Sequence, residues 1–218
     1  MSTISIKAVF DPTCPWCYVG ALRLTRAIDT YRKTISNNDV ITIAWHSYQI
    51  DPHAITQPLL EKMASRFGRE QLPQMKLQLQ EMGKRDGINF SFESTNGNTF
   101  DAHRLVQLAK RKKTSGKDQL STKVILEILR MYFEEGGDIT SIKDLGLAAE
   151  RAGIERGEAV SWLLNGEGTE DARREIEEAR KLGVRGVPWY QFNGRAVLNG
   201  AAEESAILKQ LVLASESS

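Results

Sequence analysis

The 218-residue sequence holds only two cysteines, Cys14 and Cys17, so a framework of several disulfides is excluded. Long apolar runs are missing too, and no window approaches the roughly 20 residues needed to cross a bilayer. Neither sign of charge is in excess, with 29 Lys plus Arg against 28 Asp plus Glu. That balance removes the electrostatic reason to expect nucleic acid or an anionic membrane as partner. The opening "MSTISIKAVF" lacks the basic start and apolar core of a secretory signal. The expected setting is therefore cytoplasmic, where thiols are kept reduced and lasting disulfides are rare. Internal repeats and low-complexity tracts are absent as well.

What is present describes a soluble globular chain, 41% apolar and 26% charged. At this length folding buries roughly two-thirds of the unfolded surface, so no staple is needed. "ISIKAVF" (4–10) alternates apolar and polar residues and predicts a strand that ends at Pro12. From Pro15, Val19, Leu22, Ala27, Ile28 and Tyr31 recur at helical spacing with Arg23, Arg26, Asp29 and Arg32 between them. "VITIAWHSY" (40–48) is a second strand, and a crossover of this length implies parallel pairing with a right-handed connection.

Between about 56 and 182 nearly every segment reads as amphipathic helix. Leu59, Leu60, Met63 and Phe67 mark one face, and Met75, Leu79 and Met82 the next. A polar loop (89–98) leads to a helix capped by Asn98 or Thr99. Val124, Ile125, Ile128 and Tyr132 define another, closed by Gly136 and Gly137, and three more follow from Ser141 to Gly183. Strand signals return only in "PWYQFN" and "AVLN", which flank Gly194–Arg195 like a hairpin before a closing helix and a frayed "SESS" tail. Strands at both ends with helices between them predict an α/β domain, residues 1–55 and 183–218, interrupted by an all-helical insertion domain at 56–182.

Proline is favoured at the first helical position, because its missing N–H has no partner to lose there. Pro15 thus makes Cys14 the N-cap, where the free amides of Trp16 and Cys17 point at its sulfur and the helix dipole is positive. The dipole is worth roughly 0.3 to 1 kcal/mol, and about 1.4 kcal/mol is one pKa unit, so hydrogen bonds must supply any larger shift. An ionised, nucleophilic Cys14 is the expectation. Cys17, one turn on, lies beneath it and is placed to attack a mixed disulfide on Cys14. Such a tiny loop adds little stability but suits a reversible two-electron couple. Half a zinc site is the competing reading; no second cysteine pair exists, and His46, His53 and His103 lack ligand-pair spacing, so no metal is expected. Two unrelated buried cysteines are the other.

Three segments together resemble a known family. "DPTCPWCYVGALRL" is similar to the active-site segment of DsbA-like thioredoxin-fold oxidoreductases of the FrnE type, "NTFDAHRLVQLAK" (98–110) to their helical-domain signature, and "LGVRGVPWYQFNG" to their cis-proline segment. The order is the family's and the match covers about the whole chain. The resemblance implies a thioredoxin fold with a helical insertion, Cys14 as attacking and Cys17 as resolving thiol, and Val187 with Pro188 as the edge that docks a disulfide substrate. A trans proline simply opening a strand is the plain alternative for Pro188. Related kappa-class glutathione transferases and 2-hydroxychromene-2-carboxylate isomerases generally carry serine where Cys14 stands. Cysteine there favours a thiol–disulfide oxidoreductase over the alternative, a glutathione-dependent transferase or isomerase acting on an aromatic or polyketide-like small molecule. "WYQFNG" and "LNGAAEE" depart from the family's usual strand and "SGAQ" pattern, which leaves the form of the substrate edge open.

Other residues carry two readings each. Asp11 either moves a proton for Cys17 or caps its loop. Trp16 offers an apolar contact to substrate or packs on the insertion. His103 reaches the interdomain cleft and the Cys14 thiolate, or is a hydrogen-bonded packing residue. Met63, Met75 and Met82 line a forgiving groove or fill core. Gly200, Ala201 and Ala202, at the start of the last helix, offer amides to a glutathione carboxylate, or the segment merely leads into the first-turn acids Glu203 and Glu204. No resident cofactor is required; the expected partners are a disulfide-containing protein or a small thiol such as glutathione, the latter as co-substrate. The chain is expected to be a monomer or homodimer.

Overall fold

The computed structural model describes residues 1–112 and 120–217. β1 (Thr3–Phe10) inserts Ile4, Ile6 and Ala8 into the core. α1 (Pro15–Thr34) starts at the proline and buries Cys17, Tyr18, Leu24, Ile28 and Tyr31 on one side. β2 (Val40–Ser47) then runs parallel to β1, in register from Thr3 opposite Val40 to Phe10 opposite Ser47. All three elements fall within a residue or so of the spans that periodicity predicts.

The chain next leaves this sheet. β3 (Gln57–Pro58) and β4 (Thr95–Asn96) form a two-stranded ribbon. Between them lie α2 (Leu59–Phe67), a 3-10 turn (Arg69–Gln71) and α3 (Leu72–Asp86). The ribbon is the feature periodicity misses, since two residues cannot show an alternation. α4 (Phe100–Arg111), α5 (Leu120–Phe133), α6 (Ile142–Ala152), α7 (Arg156–Leu164) and α8 (Thr169–Lys181) follow. Thr99 holds the N-cap position of α4, but it is Asn98 whose side chain accepts, from the Phe100 amide at 2.9 Å. Ser141 caps α6, accepting from the Asp144 amide at 3.2 Å. Arg104 on α4 is buried and donates to the Trp162 and Leu163 carbonyls at the end of α7, at 3.1 and 2.7 Å. A guanidinium is well suited to cover those unpaired carbonyls.

β5 (Trp189–Phe192) and β6 (Ala196–Asn199) return to the sheet and α9 (Glu204–Glu216) closes the chain. The hairpin turns on Asn193 and Gly194, both at positive φ (46° and 69°), with the Arg195 amide donating to the Phe192 carbonyl at 3.0 Å. The turn therefore sits one residue before the expected Gly194–Arg195, because an Asn-Gly pair tolerates the left-handed region at both central positions. Ser215 and Glu216 belong to the helix and Ser217 is its C-cap, contrary to the frayed "SESS" tail expected; Ser218 lies outside the described residues. The sheet order is β2-β1-β5-β6, with β5 antiparallel to β1. This is a thioredoxin-like fold with a helical insertion between β2 and β5. Its first loop, before α1, and its re-entry loop, before β5, meet at one end of β1.

α1 is tied to the insertion at two places along its length. Tyr18 on α1 stacks on Phe133 at 6.1 Å and donates its hydroxyl to Glu134. Burial first, then that carboxylate, push the Tyr18 hydroxyl well above its usual range, so it stays a donor. On α3, Asp86 receives two bonds from Arg23, both 2.9 Å, and another from Arg26. Among the described residues no helix is long and apolar enough to cross a membrane.

Candidate active site

Cys14 occupies the N-cap of α1 with extended backbone (φ −90°, ψ 114°), fixed by its amide donating to the Asp11 carbonyl at 3.1 Å. With Pro15 following, the helix can begin only there. Both cysteines are free thiols, Cys14 6% exposed and Cys17 1%. Their acidities move apart. The neighbouring Cys17 thiol is the largest influence lowering the Cys14 pKa; burial opposes this, and the nearby amides of Cys17 and Trp16 lower it further, although neither amide makes a capping hydrogen bond to the sulfur and the Cys17 amide donates to the Cys14 carbonyl at 2.9 Å. Cys17 is pushed well above its ordinary value, by burial first, then by its bond to Cys14 and the charge developing there. The negative charge of Asp11 raises both thiols.

Asp11 itself is a loop cap. Its carboxylate accepts from the Thr13 amide (2.8 Å), the Thr13 hydroxyl (2.7 Å) and the Ile50 amide (2.7 Å), and only 1% of the residue is exposed. It stitches the loop before α1 to the segment after β2.

The re-entry loop lies against the sulfur. The Val187–Pro188 peptide bond is cis. The Cys14 thiol donates to the Val187 carbonyl at 3.5 Å, a long contact of the kind sulfur makes. Trp16 is 49% exposed and lines, with Thr13, Cys14 and Pro15, a cavity of about 550 Å³. Its far wall is the insertion: Met63 and Phe67 of α2, Met75, Leu79 and Met82 of α3, then Phe90, Phe92 and Phe133. The three methionines therefore face this cleft. Lys62 and Arg66 put two cations on the same wall, Lys62 paired with Asp51. Periodicity marks Leu59, Leu60, Met63 and Phe67 as one apolar face without saying what it meets; the 40% exposure of Phe67 and its place in the cavity wall make it a cleft face. The signal in the sequence was Lys62 and Arg66 adjoining those apolar positions.

Two expectations do not hold. His103 does not reach the cleft: it is fully buried, Nε2 donates to the Tyr48 carbonyl at 2.8 Å, and the ring packs edge-on to Phe10 with centroids 5.2 Å apart. A helix face that packs on β1 cannot also open on the cavity, so the packing reading describes it. Gly200, Ala201 and Ala202 do not form an anion cradle. The Gly200 amide donates to the Pro188 carbonyl (2.8 Å) and the Ala202 amide to the Gly200 carbonyl (2.9 Å), while Arg23 binds the Ala201 carbonyl (3.2 Å). None of the three lines the cavity. Of the three, Gly200 is the one bonded to Pro188.

Tyr190 went unremarked in the sequence. Its side chain is fully buried and its hydroxyl has no hydrogen-bond partner among the described residues. It presses on Gly20 of α1, where an added Cβ would lie 2.3 Å from the hydroxyl and 3.0 Å from Pro188 Cγ. Glycine at position 20 is what lets α1 approach β5 this closely.

The sequence matches the DSBA-like thioredoxin domain over residues 5–212. No curated protein matches it. Among solved structures it is similar to a probable DsbA oxidoreductase from Streptomyces coelicolor, with a TM-score of 0.83 and 23% identity over 99% of this chain and 91% of that one. It is also similar to 2-hydroxychromene-2-carboxylate isomerase (TM-score 0.69, 18% identity, 98% of this chain and 99% of that one). A third is the cytosolic disulfide reductase DsbM from Pseudomonas aeruginosa (TM-score 0.62, 18% identity, 96% of this chain and 99% of that one), solved also with GSH. At these identities the likeness is one of fold.

Proposed function

The chain belongs to the DSBA-like thioredoxin domain family, and from that premise we propose that it is a thiol–disulfide oxidoreductase working through Cys14 and Cys17. The observation that carries the reading is the placement of two free thiols one turn apart, Cys14 at the N-cap of α1 against the cis Val187–Pro188 loop and Cys17 buried behind it, an environment that pushes Cys14 toward thiolate and Cys17 toward thiol. An attacking sulfur must be ionised, and a resolving sulfur must wait.

Cys14 thiolate attacks one sulfur of a substrate disulfide; the Cys14 mixed disulfide forms and the second substrate sulfur leaves as thiolate. Cys17 gives up its proton to solvent or the departing thiolate and attacks Cys14 Sγ. The Cys14–Cys17 disulfide closes, the first substrate sulfur leaves, and two electrons have passed to the substrate. Run backwards, the same steps donate a disulfide. Val187 and Pro188 lie beside the attacking sulfur and serve as the docking edge for the partner chain, with Trp16 as its apolar contact. A disulfide-bearing protein or a small thiol such as glutathione is the partner; the DsbM structure with GSH supports the latter, and DsbM's cytosolic setting supports a cytoplasmic one.

A second reading rests on the cavity. About 550 Å³ walled by methionine and phenylalanine lies within the size of small-molecule sites. A glutathione-dependent transferase or isomerase acting on an aromatic or polyketide-like compound would use that space, with Cys14 beside it. Insulin reduction separates the two. Turnover lost in Cys14→Ser supports thiol–disulfide exchange; equal rates in wild type and Cys14→Ser refute it. Isomerisation or conjugation surviving in that variant favours the second reading.

A further inference from the structure

Tyr190 is a buried titratable group beside the thiol pair that has neither a task in the proposed chemistry nor a hydrogen-bond partner among the described residues. On β5 it stands opposite Ala8 of β1, and directly opposed residues share a face of the sheet. That face is the one covered by α1, because the hydroxyl abuts Gly20. Gly20 follows Cys17 by three residues, which on a helix places the two side by side on one surface. Ala8, its partner on β1, brings no polar side-chain atom to that face. The charges that act on Cys17 come from Cys14 on its own helix and Asp11 in the loop before α1, and the charge of Cys17 in turn acts on Tyr190 of β5. Of these, Asp11 is bonded to Thr13 and Ile50, and only Tyr190 has an O–H without an acceptor.

A buried hydroxyl without a partner loses its hydration for no return. Such a group is explained if its acceptor exists only in another state of the molecule. The dithiol lacks that acceptor, whereas the reaction creates one: when Cys17 sheds its proton, a sulfur anion forms in an apolar enclosure. We propose that Tyr190 is the hydrogen-bond donor that holds the Cys17 thiolate as it attacks, or is released from, Cys14 Sγ. This rests on the exchange chemistry proposed above and deepens it. The phenol remains protonated throughout, since burial and then the charges of Cys17 and Cys14 push its pKa far upward. It lends a hydrogen bond and transfers no proton. Cys14, by contrast, is already shifted toward thiolate by the Cys17 thiol and the nearby amides of Cys17 and Trp16, so the role assigned to Tyr190 concerns the resolving sulfur alone.

Reaction of the reduced protein with Ellman's disulfide isolates the step, because the chain has no cysteine besides these two. Cys14 thiolate attacks the reagent, releasing one thionitrobenzoate and leaving the other on Cys14. Cys17 thiolate then attacks Cys14 Sγ, releasing the second and closing the protein disulfide. In Tyr190→Phe the second release slows about tenfold, from the loss of one hydrogen bond to a charged group. Its pH profile moves to higher pH, while the first release stays within about twofold of wild type. A purely structural tyrosine would leave that profile unmoved, and an unchanged second release overturns the proposal. Replacing tyrosine throughout by 3-fluorotyrosine, a stronger donor, accelerates the second release in otherwise native protein; no acceleration likewise overturns it. If wild type itself releases a single equivalent, the exchange chemistry falls and this inference with it. Two equivalents from wild type with no effect of Tyr190→Phe sink this inference alone.

Discussion

Replacing Cys17 by alanine and by serine separates the sources of Cys14 acidity. The Cys17 thiol is the largest contribution lowering the Cys14 pKa, ahead of burial, which opposes it, and of the amides of Cys17 and Trp16. Cys17→Ala deletes the side-chain donor but keeps both amides, the helix N-terminus and the opposing charge of Asp11. A hydrogen bond to a charged group is worth about 1.5 to 3 kcal/mol, and a thiol, as a weak donor, belongs at the lower end. About 1.4 kcal/mol corresponds to a factor of about ten in the thiolate fraction below the midpoint. Cys14 is nearly buried, so solvent screening takes little from this figure. The assay is iodoacetamide alkylation across pH, followed by mass. Cys17→Ala should alkylate roughly tenfold more slowly at neutral pH, with its midpoint moved upward. Cys17→Ser keeps a donor in the same place and should stay near the acidity of a partnered Cys14. If alanine and serine variants give one common profile, the thiol is not the source and the helix N-terminus would have to explain the whole shift.

Other consequences follow from the packing. Burial alone would raise the Asp86 carboxyl, yet Arg23 and Arg26 hold it below its ordinary value of 3.8. Its contribution is therefore complete above that value and lost as pH falls through the lower folded one. Asp86→Asn should cost about 2 to 3 kcal/mol at neutral pH in urea unfolding and flatten the acid limb; a cost under about 0.5 kcal/mol would contradict the pairing. His103 and His46 are both held below their ordinary 6.5, mainly by burial. Their neutral forms are favoured in the folded protein, so stability falls as pH drops through about 6.5, and His103→Gln should lessen the fall in melting temperature between pH 7.5 and 5.5. Gly20→Ala sets a Cβ 2.3 Å from the Tyr190 hydroxyl and should destabilise by about 1 to 3 kcal/mol despite the better helix propensity of alanine. Tyr190→Phe removes the atom in the way and should recover part of that loss, whereas strictly additive effects would show that the contact is not the cause.

Much of the fold was legible because long periodic segments bury one face. β1, α1, β2 and the helices of the insertion all announce themselves in this way, and Pro15 and Ser141 mark true helix starts. Short pairings were not legible: β3 and β4 owe their existence to the segments they join and have no pattern of their own. The thiol pair was legible because its chemistry is local, a cap and the turn that follows it. What the pair touches was not. His103 and the cleft methionines occupy helix faces that look alike in sequence, and only tertiary packing sends one face to β1 and the other to the cavity. The amides of Gly200 and Ala202 looked free because their partners, Pro188 and Gly200, are set by the geometry of the re-entry loop. Tyr190 reads as one more strand aromatic until Gly20 is seen beneath its hydroxyl.

The central claim is that Cys14 and Cys17 form one reversible two-electron couple. Equilibrating the protein in glutathione buffers of graded ratio, then trapping free thiols by alkylation and weighing the products, tests it directly. The account predicts that both thiols disappear together along a single transition with no glutathione left on the protein. Thiols that stay alkylatable at every ratio, or a stable glutathione adduct on Cys14 beside a free Cys17, would contradict it.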